Sequence, residues 1–521
     1  MDIISSQKLG NILRISFAFL FPLMLFAGTI YILLTLVGSQ PLGHDESVYL
    51  TKARSWMQGT PADEFGLYRP IGMAGFGWIF LHFGSSEHTL RFFGVIFGSL
   101  SMIFLYLLFR RVINSFVALS IVGVVTSSFF FLQEAPLFQN DIPSAGFLFG
   151  FLYSIYCYIQ SSGKSKLIYF APVFAALAFY TRYGSVLFLV VIVLLSLTPP
   201  FLSSIKVNAS GVPTQLKTIL LLLVAFFGPH FIYAYLTTGS IVGILSLSGK
   251  VAGRKYFGEG IVSYLQWLPH DIGGWLLGVM VILGVLVTCL TLFIRGLRKA
   301  YIDLAWLGSI GIISFILTGL LVHPEARYIF FPVILLAGVG ISGVYYIAKS
   351  VRNILGSIVS LSLILTSIYF GVVYYNQTRI FFHSKELDRY RNAYVQTSKF
   401  ILDRSSSQGG CAIWAVTTYR PAISWYSRCQ TFSVTNLSNF KRDYLSSSGV
   451  VRYSVVLDKV ASGQVNKDLS QKWGVNLKEI YRTNNLSHAD RGDIIVYELT
   501  KQDDSSNENG LEVPEREWIE L

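Results

Sequence analysis

Charged residues are scarce in this 521-residue sequence. Asp, Glu, Lys and Arg make up 13% of it, about half the ~25% of an average soluble domain, and 53% of the residues are hydrophobic. That balance excludes an ordinary soluble enzyme and points to a polytopic membrane protein. Runs rich in Lys or Arg are also missing, so the formal charge of +12 is not a nucleic-acid footprint. Up to Tyr375 there are 22 Lys and Arg against 12 Asp and Glu, and after it 19 against 17. The excess belongs to the apolar part, where it reads as a topology signal. Cysteine is nearly absent: there are four, with no zinc-ligand spacing. No small-residue cleavage pattern precedes Pro41, so the first apolar stretch reads as a retained helix. No internal repeat is visible.

What is present is a series of apolar runs of roughly spanning length, about 17–25 residues each. They lie near 13–38, 88–109, 113–132, 142–160, 166–181, 184–199, 216–237, 273–294, 303–322, 328–348 and 352–375. Residues 166–199 read either as one long helix or as two short ones broken at TRYGS (181–185). Charge favours the break. With Lys8 and Arg14 cytoplasmic, two crossings place both Lys164/Lys166 and Lys206/Lys217 inside. The other inner connections then carry Arg110 and Arg111, Arg295, Arg298 and Lys299, and Lys349 and Arg352, as the positive-inside rule expects. The predicted architecture is therefore about eleven transmembrane helices, residues 1–375, with a cytoplasmic N-terminus.

The acids show a second asymmetry. Only Asp2 and Asp303 fall inside; Asp45, Glu46, Asp63, Glu64, Glu87, Glu134, Asp141, Glu259, Asp271 and Glu325 fall outside. Three short outer loops, QEAPLFQND, TRYGS and HPEARY, carry compact polar clusters, which suggests a site assembled at the outer face. The first outer loop, about 39–87, begins with the Asp45–Glu46 pair flanked by His44 and Tyr49. Asp45 alone also reads as the N-cap of the helix that follows. A further outer loop, SGKVAGRKYFGEG, is Gly-rich and reads either as a cover over a bound headgroup or as a solvated loop.

Residues 376–500 have the composition of a soluble domain, predicted to be extracytoplasmic. AIWAV, YSVVL and DIIVYEL read as short strands, and SKELDRYRNAYVQTSKFILD as an amphipathic helix with Leu387, Tyr390, Tyr394, Ser398/Phe400 and Leu402 near helical spacing. A small α/β domain is expected, followed by a disordered tail at 501–521. Cys157 and Cys289 lie in spans. Cys411 and Cys429 lie in the outer domain, where a disulfide and two free thiols are both open readings. The sequons at Asn376, Asn436 and Asn485 fall on the outer side.

The order of these motifs resembles the C superfamily of membrane glycosyltransferases, closest to its protein O-mannosyltransferase and lipid A aminoarabinose-transferase group. The sequence reads HDESVY after the first span, then YRPIGMAGFGW, NDIPSAGFLFGF, TRYGS and HPEARYIFFPV. It departs from the pattern at Ile71, where a second Pro is usual, and at Tyr183, before Gly184 where a basic residue is usual. The resemblance implies an inverting transfer of a sugar, mannose or similar, from a polyprenyl- or dolichyl-phosphate donor to an acceptor hydroxyl on a protein, glycan or lipid.

The chemistry suits the residues. A hydroxyl nucleophile needs a general base, for which Asp45 is the candidate, with Glu46 and Asp141 as further catalytic candidates, Glu46 positioning the loop and Asp141 orienting the acceptor or holding an Arg. A lipid-phosphate leaving group gains negative charge as its bond breaks. Arg69, Arg182 and Arg327 are the candidates to bind it, because guanidinium forks match phosphate. His44, Tyr49, Tyr68, Glu325 and Tyr328 are supporting candidates. Arg54 and Arg91 read as snorkelling side chains at the interface.

No metal or cofactor is expected, since His44, His82, His88 and His323 read as lone hydrogen-bonding residues. The WWD string of the metal-using oligosaccharyltransferase branch is absent. A transporter or lipid flippase would also explain many helices. Transporters, however, place coupling residues near the midplane in broken, repeated helices. A receptor reading leaves Asp45, Arg69, Asp141 and Arg327 without a role.

Overall fold

The computed structural model describes residues 20–501 except 21, 39, 63–64, 199–211, 252–254, 273, 383–384, 407–409, 416–419, 434–436, 458–460 and 484–491. Asp63, Glu64, Lys206, Arg254, Asn436, Asn485 and the 501–521 tail beyond Lys501 lie outside the described residues. Among the described residues the apolar runs fall on helices, except that the run at 113–132 is divided between two, Ser115–Thr126 and Phe129–Glu134. The helices are α1 (Pro22–Leu36), α2 (His44–Gln58), α3 (Ile71–Leu81), α4 (Glu87–Val112), α5 (Ser115–Thr126), α6 (Phe129–Glu134), α7 (Asp141–Gln160), α8 (Ala171–Thr181), α9 (Ser185–Ser196), α10 (Val212–Thr238), α11 (Gly243–Val251), α12 (Glu259–Trp267), α13 (Gly274–Phe293), α14 (Arg295–Ala300), α15 (Ile302–Leu321), α16 (Phe330–Val351) and α17 (Asn353–Phe382). Among the described residues, 7 helices are long and apolar enough to cross a bilayer and five shorter ones are apolar. The chain is an integral, multi-pass membrane protein. The 166–199 segment breaks at 182–184 between α8 and α9, and α17 carries Asn376 within its last turns instead of ending at Tyr375.

Helix contacts here depend on small residues, because lipid offers no hydrophobic drive for helices to associate. Gly284 on α13 and Gly340 on α16 let the two backbones meet. A Cβ on Gly284 would strike the Leu336 carbonyl, and one on Gly340 the Met280 carbonyl.

Two compact units divide the chain: residues 1–38, 67–73 and 88–381 form one, and residues 39–66, 74–87 and 382–521 the other. Residues 39–66 and 74–87 of the first long loop thus share a unit with the C-terminal domain, while residues 67–73 belong to the other. That domain comprises α18 (Lys385–Ser405), β1 (Cys411–Ala415), α19 (Arg420–Ser427), β2 (Gln430–Phe432), α20 (Leu437–Ser446), β3 (Val451–Leu457), α21 (Ala461–Lys472), β4 (Val475–Arg482) and β5 (Ile494–Lys501). Its sheet has the order β2-β1-β3-β5-β4. β1 runs parallel to β2 and β3, and β5 antiparallel to β3 and β4. Ile413, Tyr453, Val455 and Val496 face Tyr394 and Ile401 of α18 on one side. Ala412 and Trp414 face Phe440, Tyr444 and Leu469 on the other. Burial on both faces is why the central strands read as unbroken apolar runs.

Cys411 and Cys429 are joined in a disulfide 18 residues apart in sequence. It ties the start of β1 to the residues that follow α19. Closing a loop of that length is worth about 3 kcal/mol on the chain-entropy account. Replacing both cysteines by serine is expected to lower C-terminal-domain stability by about that amount, read as a drop in the denaturant midpoint of its tryptophan fluorescence. An unchanged midpoint would show that the bridge does not constrain the domain.

The structure corrects the reading of Arg54 and Arg91 as snorkelling side chains. Arg91 is 0% exposed and donates from Nη1 to the Gly38 carbonyl at 3.1 Å. Arg54 is 5% exposed and is held within the second unit. Its Nη1 donates to the Trp425 carbonyl at 2.5 Å and its Nη2 to the Ser424 carbonyl at 3.1 Å. These are last-turn carbonyls of α19, at the negative end of the helix dipole; that of Ser424 also accepts the Arg428 N–H at 3.0 Å. The guanidinium also stacks over the Trp425 ring at 4.6 Å. Burial, with a smaller contribution from Arg428, lowers its pKa to about 10, so it stays charged at neutral pH. A snorkelling side chain would instead carry its charge into water.

Candidate functional site

In the second unit, the Asp-Glu pair divides its work. Gly43 is the N-cap of α2, Asp45 is the second helical residue and Glu46 the third. Glu46 is 1% exposed, and its Oε2 accepts the Gly43 N–H at 2.8 Å, satisfying one of the orphan donors at the helix start. Capping therefore falls to Glu46 and not, as the alternative reading had it, to Asp45. The same bond leaves Glu46 committed to structure, whatever Asp45 does. Asp45 is half-buried and His44 exposed, while Tyr49 is buried with its ring edge-on to Phe65. Glu46→Ala is expected to destabilise the first turn of α2 by about 1 kcal/mol, the usual worth of a cap. Faster hydrogen exchange confined to residues 43–47 would be the signature, and unchanged exchange would remove the cap assignment.

The start of α2 is gripped by the C-terminal domain. The Leu42 N–H donates to the Tyr426 hydroxyl at 2.9 Å, and that hydroxyl donates to Glu87 Oε1 at 2.7 Å. Arg391 of α18 donates to Gln40 Oε1 and to the Pro41 carbonyl, both at 3.4 Å. Gly59, at φ 69°, ends the helix in the left-handed region that glycine tolerates.

In the first unit, the three polar loops converge. Asp141 opens α7 and is 3% exposed. Arg182 Nη1 lies 2.7 Å from its Oδ1, and Arg327 Nε 3.8 Å from its Oδ2. Arg327 Nε also pairs with Glu325 Oε2 at 2.5 Å, and its Nη1 donates to Gln139 Oε1 at 3.4 Å. The Tyr328 ring lies under both cations, 4.5 Å from the Arg182 guanidinium and 5.8 Å from that of Arg327. Arg69 lies over the ring of Tyr68 at 5.2 Å. Asp141 thus holds arginines; as a catalytic candidate it is occupied by two ion pairs.

Local structure explains the convergence. Arg182 is the extended residue that ends α8. Ser185, the first residue of α9, pairs its hydroxyl with that of Ser144, one turn after Asp141, at 2.5 Å. The TRYGS turn is thereby docked on the same face of α7 that carries Asp141. HPEARY leads through a short 3₁₀ turn, Ala326–Ile329, directly into α16.

Tyr264 on α12 is a residue that sequence reasoning misses. It is fully buried, near the Glu325 backbone, Arg182 and Tyr328. Burial raises its phenol above the ordinary tyrosine range, while Arg182 acts in the opposite direction. Nothing in the local sequence marks it, beyond its position just after the Gly-rich SGKVAGRKYFGEG loop. At the end of that loop the Lys255 N–H donates to Glu259 Oε2 at 2.7 Å.

Residues 69–250 match the family model described as dolichyl-phosphate-mannose-protein mannosyltransferase. No curated protein sequence matches the chain. Among solved structures, ArnT from Cupriavidus metallidurans bound to undecaprenyl phosphate is similar over 91% of this chain and 97% of its own, with a TM-score of 0.62 at 13% identity. The chain shares the fold of that structure. The archaeal oligosaccharyltransferase AglB from Archaeoglobus fulgidus, in complex with an inhibitory peptide and a dolichol-phosphate, is similar over 88% of this chain and 73% of its own, with a TM-score of 0.52 at 12% identity. The match to the mannosyltransferase family model begins at Arg69 and includes Asp141 and the TRYGS turn.

Proposed function

We propose that this chain transfers a sugar, mannose or a close relative, from a polyprenyl- or dolichyl-phosphate donor to an acceptor hydroxyl, with inversion. The observation that carries the reading is the pair of arginines, Arg182 and Arg327, fixed beside one buried carboxylate. Guanidinium groups that are already ordered lose little freedom on accepting a phosphate. A structure of this fold was solved with undecaprenyl phosphate bound, and part of this chain matches a family named for a dolichyl-phosphate sugar donor.

In this reading Asp45 takes the proton of the acceptor hydroxyl. The acceptor oxygen bonds to the anomeric carbon as the bond from that carbon to the phosphate oxygen breaks. The electron pair leaves with the polyprenyl phosphate, whose new charge meets Arg69, Arg182 and Arg327. Asp141 and Glu325 offset two of these cations in the absence of substrate. The reaction face is extracytoplasmic and the N-terminus cytoplasmic, as the Lys and Arg distribution suggests. The acceptor is a protein, glycan or lipid.

The test uses purified chain in detergent with polyprenyl-phosphate mannose and related donors. Donor consumption is expected for wild type. Arg182→Ala or Arg327→Ala is expected to weaken donor binding by about 10–100-fold, since each removes a charge-assisted contact to the leaving phosphate. A wild-type protein that consumes no donor and instead moves lipid across liposomes would replace this reading with a flippase.

A further inference from the structure

Two of the arginine-bearing turns of the first unit, those of Arg69 and Arg182, touch at a point that neither the fold nor the proposed reaction requires. Ile71 is the first residue of α3, and its N–H is one of the orphan donors every helix start presents. It donates to the Tyr183 hydroxyl at 3.4 Å. Tyr183 belongs to the TRYGS turn, immediately after Arg182; Ile71 lies two residues after Arg69. The Tyr183 ring is 4% exposed and is held between Phe179 at 5.1 Å and His230 at 5.0 Å. Its hydroxyl therefore has little freedom to point elsewhere. Beside it, Gly72 sits so close to α8 that an added Cβ would come within 2.5 Å of the Tyr180 carbonyl oxygen. The turns are thus in contact, and the hydrogen bond lies at the contact.

We propose that Tyr183 is a positioning residue that ties the Arg69 turn to the Arg182 turn and so sets the spacing of two cations on one phosphate. The inference rests on the proposed donor class. Ile71 and Tyr183 are also the two positions where the sequence departs from the motif pattern it otherwise follows. A proline in place of Ile71 would have no N–H to give, and a residue without a phenol in place of Tyr183 would offer no such acceptor. The donor and its acceptor are present together in this chain.

A double-mutant cycle tests the tie, because the interaction exists only when both groups are present. Wild type, Tyr183→Phe, Ile71→Pro and the double variant would be purified as full chains. Affinity for undecaprenyl phosphate and the thermal midpoint would be measured for each. Proline is tolerated at the first helical position, so Ile71→Pro removes the N–H without breaking α3. Tyr183→Phe is expected to weaken undecaprenyl-phosphate binding about five-fold, the worth of one ordinary hydrogen bond. In the Ile71→Pro background the same change is expected to have no effect. Ile71→Ala, which keeps the N–H, should leave the Tyr183→Phe loss intact. A role confined to stability would shift the midpoints and leave the affinities alone.

Wild-type affinity in Tyr183→Phe, or losses that simply multiply in the double variant, would overturn the proposal. If wild type binds no polyprenyl phosphate at all, the donor reading fails by itself. The tie is then read in the midpoints, where additive shifts would overturn it too.

Discussion

Asp45→Asn is expected to lower turnover by about 10²–10⁴-fold, the range a general base contributes, with donor binding unchanged. The expectation is sharp because the structure separates the two acids. Glu46 holds the Gly43 N–H and is buried, so the start of α2 keeps its cap in the variant. Asp45 is half-buried at the second helical position, where the helix-dipole contribution of an acid is worth about 0.3–1 kcal/mol. A loss of turnover in this variant is therefore not the loss of that cap. Single-turnover measurements with preloaded donor separate the outcomes. Intact donor binding with no sugar released supports Asp45 as base. Full turnover would remove it from catalysis and leave the acid pair a helix-start feature. Lost donor binding would move Asp45 to the donor side of the reaction.

The second large effect is expected at Arg54. Arg54→Ala removes two donors from the last-turn carbonyls of α19 and the cation stacked on Trp425. Hydrogen bonds made by charged groups are worth about 1.5–3 kcal/mol each, and the Ser424 carbonyl keeps the Arg428 N–H in the variant. A destabilisation of about 3 kcal/mol of the contact between α2 and α19 is expected on that basis, or roughly a 10²-fold rise in local opening. Hydrogen exchange over residues 44–58 and 420–427 reads it directly. Arg54→Lys is not expected to rescue, because a single ammonium cannot span two carbonyls and stack flat on an indole. If exchange accelerates in α19 but not in α2, the clasp serves the C-terminal domain alone. If neither segment changes, the assignment fails. Because α2 carries Asp45, the expected variant also loses turnover while keeping its arginine cluster and its affinity for polyprenyl phosphate.

The apolar runs alone were enough to place the 7 described helices long and apolar enough to span, because a spanning helix needs only length and hydrophobicity to declare itself. The TRYGS break was legible through charge. In the C-terminal domain, β1, β3 and β5 were legible as apolar runs, but β2 and β4 were not. β2 has three residues, too few to show a period. β4 mixes buried and exposed positions on a sheet edge, and its Lys478, Glu479 and Arg482 mask the apolar set.

The candidate site shows the same division. Asp141, Arg182 and Arg327 stand out because they lie in three short outer loops with compact polar clusters, QEAPLFQND, TRYGS and HPEARY. Their meeting at 2.7 Å and 3.8 Å is not written in any spacing, since the three come from loops far apart in sequence. Tyr264 and Tyr183 escape because a tyrosine near an apolar helix is ordinary until its hydroxyl is seen to face something. Arg54 misleads for the complementary reason. A lone arginine near a helix end looks solvated unless the surface that buries it is known.

By itself, then, the sequence determined the membrane class, the helix order, the separate C-terminal sheet domain and the identity of the polar loops, all of which follow from local hydrophobicity and charge. Only the tertiary structure decided which acid caps α2, which arginines pair and which tyrosines lie against them. Those outcomes depend on contacts between distant segments, and such contacts are set by close packing.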